Sequence, residues 1–175
     1  PGAGRDALRR GTLVHKLLER LPQVGPDARE EAGWQWLARN AADLPEDARQ
    51  AMLDSAMAVL ANPEWADLFG PASLAEVPVA AVVGGQVVAG TIDRLVVETD
   101  RVRLVDYKTA RRPPERLEQV PRGVLRQMGA YAAALEVAFP GRAVEVALLY
   151  TAVPRLIALP VEVLAAHKPD FSPVQ

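Results

Sequence analysis

The sequence contains no cysteine. Disulfide bonds, thiolate zinc sites and cysteine-ligated iron–sulfur clusters are therefore excluded from this chain, and the absence fits a reducing cytoplasm. The sequence also lacks an initiator methionine and any segment that resembles a signal or transit peptide. We therefore expect a cytoplasmic piece of a longer protein.

Excess positive charge and long apolar runs are missing as well. The net charge is -2, so any affinity for nucleic acid must come from a local patch or from an attached region. The longest stretch without an ionisable residue, residues 77–92, is too short to span a bilayer and is broken by Gly84 and Gly85. This predicts a soluble protein without a membrane segment.

The length and the hydrophobic content of the sequence are sufficient for a well-buried core. With 175 residues, 50% of them hydrophobic and 24% charged, we expect one globular domain rather than two. The apolar period changes from helical to strand-like near Gly70. We therefore divide the domain into a helical region of about residues 5–69 and a sheet-and-helix core of about residues 73–160.

The order of predicted elements indicates the fold class. Apolar residues at spacings of three and four predict helices over residues 5–21, 27–40, 45–61 and 124–138. A period of two predicts strands over residues 74–83, 86–97 and 102–109, and two further apolar segments predict a central strand over 144–153 and its neighbour over 155–159. This order is typical of an α/β protein with a mixed sheet flanked by helices.

Two turns set the register of the predicted meander. If Gly84-Gly85 closes the first hairpin, the numbers of paired residues sum to 169, and Glu76 lies opposite Asp93. If Thr99-Asp100 closes the second, they sum to 199, and Asp93 lies opposite Asp106. Opposite residues have Cβ atoms about 4.5 to 5.5 Å apart, so these three carboxylates form a row across three strands.

The carboxylate row predicts a metal site. Two like charges 4 Å apart repel by on the order of 4 kcal/mol at an effective dielectric near 20, and a bound cation would remove this repulsion. The segment RLVDYKTARR, residues 103–112, also places Lys108 on the same strand face as Asp106. The alternative is a solvated face with scattered charges. Asp93 and Asp106 are the predicted ligands, since carboxylates bind hard cations such as Mg²⁺.

Five short blocks carry a family resemblance. They are GTLVH (residues 11–15), AEVPV (75–79), GTIDRL (90–95), VDYKT (105–109) and QMGAY (127–131). In this order and spacing the sequence resembles the RecB-like branch of the PD-(D/E)xK nuclease superfamily, and within it the C-terminal nuclease domain of AddA-type helicase-nuclease subunits. The resemblance implies a restriction-endonuclease-like core and metal-dependent cleavage of DNA phosphodiesters.

The resemblance also implies a setting for that activity. The chain would be an exonuclease-type domain that cuts DNA strands, mainly single strands from unwound duplex, delivered by a helicase in the same polypeptide. A second, AddB-like subunit would assist in double-strand-break repair and recombination, in the bacterial cytoplasm near the nucleoid. Several RecB-like nucleases hold an iron–sulfur cluster on four cysteines, which this chain lacks.

The matching blocks suggest further site residues. His15 resembles the family's metal-binding histidine, although a lone histidine on a helix is also compatible with a structural role; a nitrogen ligand would help Mn²⁺ to replace Mg²⁺. The backbone carbonyl of Tyr107 would supply another metal ligand, while its side chain belongs to the core. Glu76 would assist the metal site. Lys108 would hold the attacking water and stabilise charge in the transition state.

Candidate DNA contacts lie close to these blocks. Gln127 and Tyr131 are four residues apart on one helix face, and the resemblance makes them wall residues that position the strand. Arg94, Arg111 and Arg112 suit phosphate contacts, although a solvated surface explains them nearly as well.

Two alternatives to the helicase-attached nuclease stay open. One is a catalytically silent nuclease fold that guides DNA or holds a partner subunit. The other is a free-standing RecB-like exonuclease, which would need no motor. The presence of every expected acid and of Lys108 favours activity over silence.

Overall fold

The computed structural model describes residues 2–168, with side chains from residue 4 onward. Its α-helices are α1 (Gly2–Arg20), α2 (Arg29–Asn40), α3 (Glu46–Leu60), α4 (Arg122–Ala138) and α5 (Val161–Ala166). Its strands are β1 (Ser73–Val83), β2 (Gln86–Val97), β3 (Arg101–Lys108), β4 (Ala143–Tyr150) and β5 (Arg155–Leu159). Within residues 2–168, no helix combines the length and the apolar character needed to cross a bilayer.

The chain divides into two compact units. The first, which we call the helical unit, comprises Pro1–Pro71, Tyr107–Arg112 and Tyr150–Arg155. The second, which we call the sheet unit, comprises Ala72–Asp106, Pro113–Leu149 and Leu156–Gln175. The division crosses β3 between Asp106 and Tyr107, so the acid and the lysine of the DYK segment are assigned to different units.

The helical unit is built on closely packed helices. The apolar stripe of α1 is fully buried at Leu17 and Leu18, as the spacing of three and four predicts. Gly33 in α2 allows a close approach, because a Cβ atom at this position would lie 2.5 Å from Cδ1 of Leu53 in α3. A larger side chain there would push α2 away from α3.

The sheet has the strand order β1-β2-β3-β4-β5. β1, β2 and β3 form an antiparallel meander. The amide of Ala143 donates to the Asp100 carbonyl and that of Thr151 to the Lys108 carbonyl, both at 2.9 Å, so β4 runs parallel to β3. The predicted mixed α/β sheet flanked by helices is confirmed, with Pro78 on an edge strand as its missing amide hydrogen requires.

Both predicted registers are confirmed. Val83 pairs with Gln86 and Leu74 with Leu95 in the first hairpin, while Arg94 pairs with Val105 in the second. Gly84 and Gly85 have φ angles of 54° and 83°, as a two-residue type I′ turn requires of both central residues. The sums of 169 and 199 therefore hold along the paired parts of the meander.

Within residues 2–168, α5 is the α-helix that the sequence did not predict. The sequence around His167 suggests a polar tail, whereas the structure forms α5 and ends it with an Nδ1 contact of 2.8 Å from His167 to the Val163 carbonyl. Tertiary packing explains the difference, because a Cβ atom on Gly129 of α4 would lie 2.7 Å from the His167 carbonyl oxygen. This glycine lets the end of α5 dock on α4.

Candidate active site

The structure brings two predicted acids of the sheet unit together. The side chains of Glu76 in β1 and Asp93 in β2 have carboxylate oxygens within 4.8 Å of each other, and both residues are half-buried. At that distance two carboxylates repel by about 3.5 kcal/mol at an effective dielectric near 20. A fold that holds two carboxylates so close offers a pair of hard oxygen donors.

The backbone of Glu76 explains how the pair forms. Pairing of β1 with β2 is regular on both sides, but Glu76 and Asp93 are omitted from it. Glu76 has a φ angle of 51°, and within residues 2–168 it is the one non-glycine residue with positive φ. This left-handed conformation costs an L-residue about 1–2 kcal/mol, and such strain clusters at functional sites.

Asp106 lies on the next strand. Pairing of β2 with β3 reaches Arg94 and Val105 and stops there, and the same register continued by one residue sets Asp106 opposite Asp93. Asp106 is 8% exposed, so its carboxylate is largely withdrawn from water. Burial of an ionisable carboxylate in this way requires interactions that compensate for lost hydration.

The helical unit carries His15, Tyr107 and Lys108. The rings of His15 and Tyr107 are 5.4 Å apart at 82°, an edge-to-face contact that places the histidine beside the DYK segment. The Tyr107 side chain is 3% exposed, which agrees with its predicted core position. Gly11 makes room one turn before His15, because a Cβ atom there would lie 3.1 Å from Oγ1 of Thr109.

The backbone of Lys108 is fixed from β4. Thr151, which is 1% exposed, donates its amide hydrogen to the Lys108 carbonyl at 2.9 Å, and its hydroxyl lies 3.4 Å from the same oxygen. The Lys108 residue itself is half-buried. The strand end that presents the ammonium is therefore held in place.

Gln127 and Tyr131 lie on α4 in the sheet unit and differ in exposure. Gln127 is exposed, whereas Tyr131 is 8% exposed and its ring fills the space where Gly90 of β2 lacks a side chain. Sequence analysis missed Gly90 as the partner of Tyr131. The available signal was a glycine inside a strand, which often marks close approach of another group.

The three arginines predicted to contact DNA also differ in exposure. Arg94 is 4% exposed, whereas Arg111 and Arg112, which follow β3, are exposed. A guanidinium at the surface can reach a phosphate without unfolding its surroundings, and a buried one cannot. The structure therefore favours the two exposed arginines for such contacts.

Two surface ion pairs have perturbed pKa values. Arg9 donates to Asp43 and lowers the pKa of that exposed carboxyl to about 2. Glu98, which accepts from Arg101 at 2.6 Å, raises the pKa of the Arg101 guanidinium, with a smaller contribution from Glu145. The Arg9–Asp43 pair is exposed, the Arg101–Glu98 pair is half-buried, and we assign neither pair to the active site.

Comparison with known proteins identifies the family. The sequence profile described as the PD-(D/E)XK nuclease superfamily matches residues 2–172. A search of curated proteins gives no match.

Two solved structures are similar to this chain. One, from Eubacterium rectale, carries the name "Putative exonuclease"; it has 10% identity and a TM-score of 0.56, and the match covers 86% of this chain and 62% of that one. The other is SSO0001, with 16% identity, coverage of 88% and 70%, and a TM-score of 0.39, which is too low to support an argument. The similarity to the Eubacterium rectale protein shows a shared fold. Because the family profile spans nearly the whole sequence, the chain belongs to the PD-(D/E)XK nuclease superfamily.

Proposed function

We propose that the chain is a metal-dependent deoxyribonuclease domain that hydrolyses phosphodiester bonds in DNA. The observation that carries the proposal is the Glu76–Asp93 carboxylate pair, within 4.8 Å, in a chain that belongs to a nuclease superfamily. The strained backbone of Glu76 supports it, since a costly conformation that joins two like charges is expected where the fold serves a site.

The donors fit a hard divalent cation. We assign Asp93 and Asp106 as carboxylate ligands, Glu76 as an assisting carboxylate, His15 as a nitrogen ligand and the Tyr107 carbonyl as a further oxygen. Mg²⁺ suits the oxygen donors, and the imidazole would let Mn²⁺ replace it. When bound, such a cation supplies Lewis-acid stabilisation of charge on the phosphoryl oxygens.

Lys108 is assigned to the chemical step. Its ammonium would orient the water that attacks phosphorus and would stabilise negative charge that develops as the P–O bond to the leaving oxygen breaks. The hydrogen bond from Thr151 to its carbonyl supports this role, because it fixes the backbone from which the ammonium extends. A fixed donor loses less free energy to reorganisation than a mobile one.

The DNA contacts are assigned by exposure. We propose that Arg111 and Arg112 contact phosphates and that Gln127 lies along the strand path, because all three side chains are exposed. Tyr131 would shape the wall from its buried position against Gly90. Arg94, at 4% exposure, would act on the strand through neighbouring side chains.

The test is cleavage of linear single-stranded DNA by the chain with Mg²⁺. Asp106→Asn and Lys108→Met should each lower the rate by at least about 100-fold. Asp100→Asn, at the exposed β2-β3 turn, and Lys168→Met, in a surface pair with Glu136, are the matched controls and should cut at the wild-type rate. Equal rates for wild type and Asp106→Asn, with both folded, would refute the proposal.

The setting of the nuclease has two candidates. A helicase in the same polypeptide, with an AddB-like second subunit in double-strand-break repair, is supported by the AddA-like blocks in the sequence. A free-standing exonuclease is equally compatible with the nuclease superfamily and with the fold likeness to the protein named "Putative exonuclease" from Eubacterium rectale. Activity of the chain alone separates them: a helicase-fed domain should bind DNA weakly and gain rate when joined to a motor, whereas a free-standing enzyme should be fully active.

A further inference from the structure

The helical unit contains a pocket in which one lining residue, Arg111, has been assigned above to phosphate contacts. Its volume is about 670 Å³, within the range of sites for small organic ligands. Residues of α1 and α3 line it together with the segments that follow β3 and β4. The pocket therefore lies at the end of β3 that presents Lys108.

Contacts to the Lys108 backbone connect the pocket with the proposed chemistry. Thr109 and Thr151 both line the pocket. Thr109 follows Lys108 directly, and consecutive Cα atoms lie about 3.8 Å apart. Thr151 donates its amide hydrogen to the Lys108 carbonyl. A ligand in this pocket would therefore sit beside the residue assigned to the reaction.

The charge of the lining favours an anionic ligand. Two arginines, Arg10 and Arg111, line the pocket against one acid, Asp47. Neither guanidinium forms an ion pair or a hydrogen bond with any residue of the 2–168 range. Arg9 provides the contrast, because its guanidinium is occupied by Asp43 at 2.6 Å. Asp47 accepts the Ala48 amide hydrogen at 2.8 Å.

Apolar side chains form a further part of the lining. Val14 and Met52 are buried side chains at its wall, with small alanine side chains such as Ala51 beside them. An apolar wall together with unoccupied guanidinium groups suits a nucleotide, whose base is apolar on its faces and whose phosphates are anionic.

We propose that this pocket binds a nucleotide unit of single-stranded DNA next to the bond that is cut, with Arg10 and Arg111 contacting its phosphates. This inference rests on the proposed nuclease function and adds Arg10 and the α1–α3 wall to its substrate site. The pocket would hold the strand while Lys108 acts on the neighbouring phosphate.

The test is the affinity of the chain for a labelled oligodeoxythymidylate of about 12 nucleotides, measured by fluorescence anisotropy in EDTA so that no cleavage occurs. Arg10→Gln and Arg111→Gln should each weaken binding about fivefold to tenfold. The double variant should reduce the slope of log affinity against log salt by about 1.4, or about 0.7 per lost phosphate contact. Arg9→Gln removes the same charge outside the pocket and should change affinity less than twofold.

A second pair of variants tests the wall. Ala51→Glu brings a carboxylate into the pocket and should weaken binding at least as much as the loss of one arginine, whereas Ala58→Glu, also exposed on α3, should not. An abasic strand of equal length should bind more weakly than the thymidine strand. Equal binding of the two strands would overturn the assignment of a nucleotide.

The outcomes separate this inference from the nuclease proposal. If the double arginine variant binds like wild type with an unchanged salt slope, while Asp106→Asn abolishes cutting, the pocket assignment is wrong and the nuclease stands. If the pocket variants lose affinity but the wild-type chain never cuts, the pocket stands and the nuclease proposal fails. Thermal unfolding of each variant confirms that the fold is retained.

Discussion

The left-handed backbone of Glu76 predicts an inverted effect of glycine on stability. Inside a strand, glycine is ordinarily less stable than alanine by about 0.5–1 kcal/mol. At a φ angle of 51°, alanine keeps the strain of about 1–2 kcal/mol that glycine avoids. We therefore expect Glu76→Gly to be more stable than Glu76→Ala by about 0.5–1 kcal/mol.

Comparison of Glu76→Gly with Glu76→Ala cancels the effect of losing the carboxylate. Both variants remove the same carboxylate, so both relieve its repulsion with Asp93 and both should lose metal-dependent cleavage equally. Ala80 supplies the matched control, because it is an exposed residue of the same strand with no positive φ. Ala80→Gly should lower the free energy of unfolding by about 0.5–1 kcal/mol.

The measurement is denaturant unfolding in EDTA, with the free energy of unfolding taken by linear extrapolation. The refuting result is that Glu76→Gly has a lower free energy of unfolding than Glu76→Ala, by the same amount that Ala80→Gly loses relative to wild type. The backbone at position 76 would then be ordinary strand. Backbone strain at Glu76 would then lend no support to a functional role of the acid pair. Equal unfolding slopes are required for the comparison, because a changed slope means a changed denatured state.

Three further predictions concern packing, charge and metal. Gly90→Ala should lower the free energy of unfolding by about 1–3 kcal/mol, since its Cβ atom would enter the Tyr131 ring. Gly123→Ala is the control and should not lower it, because a Cβ atom there meets open space. Equal effects of the two substitutions in calorimetry would show that Tyr131 does not fill the space at Gly90. Asp43→Asn should lower the melting temperature by a constant amount between about pH 5 and pH 9. A carboxyl with a depressed pKa stabilises the fold above its unfolded pKa and loses this effect only as the pH falls toward 2. A difference in melting temperature between variant and wild type that changes near neutral pH would refute this. Mn²⁺ at about 100 times its dissociation constant should raise the free energy of unfolding by about 2.7 kcal/mol, and Asp93→Asn should abolish the increase; an unchanged increase in the variant would place the metal elsewhere.

Much of the fold could be predicted from the sequence. The bounds predicted for β2 match the structure, because the Gly84-Gly85 turn and valine-rich alternation leave little freedom in register, and the bounds predicted for β5 match as well. The acid pair followed from the same turns. α5 was missed because its stability depends on docking against Gly129, a tertiary contact that no local pattern reports.

The missed parts of the site have a common cause. The positive φ of Glu76 leaves both hairpin sums unchanged, so no register argument reveals it. The place of Arg10 in a pocket depends on how α1 meets α3, and the sequence alone treats it like its paired neighbour Arg9. Side-chain partners set by packing between elements require coordinates.

The fit of the Tyr131 ring over Gly90 has a consequence for how this chain and its relatives can vary. The ring occupies the volume that any side chain at position 90 would need, so the two positions cannot change independently. In an alignment of homologues, an alanine or serine at position 90 should occur with a smaller residue at position 131. Coupled substitution of this kind would report that α4 docks on β2 in the same way across the family, without a further structure.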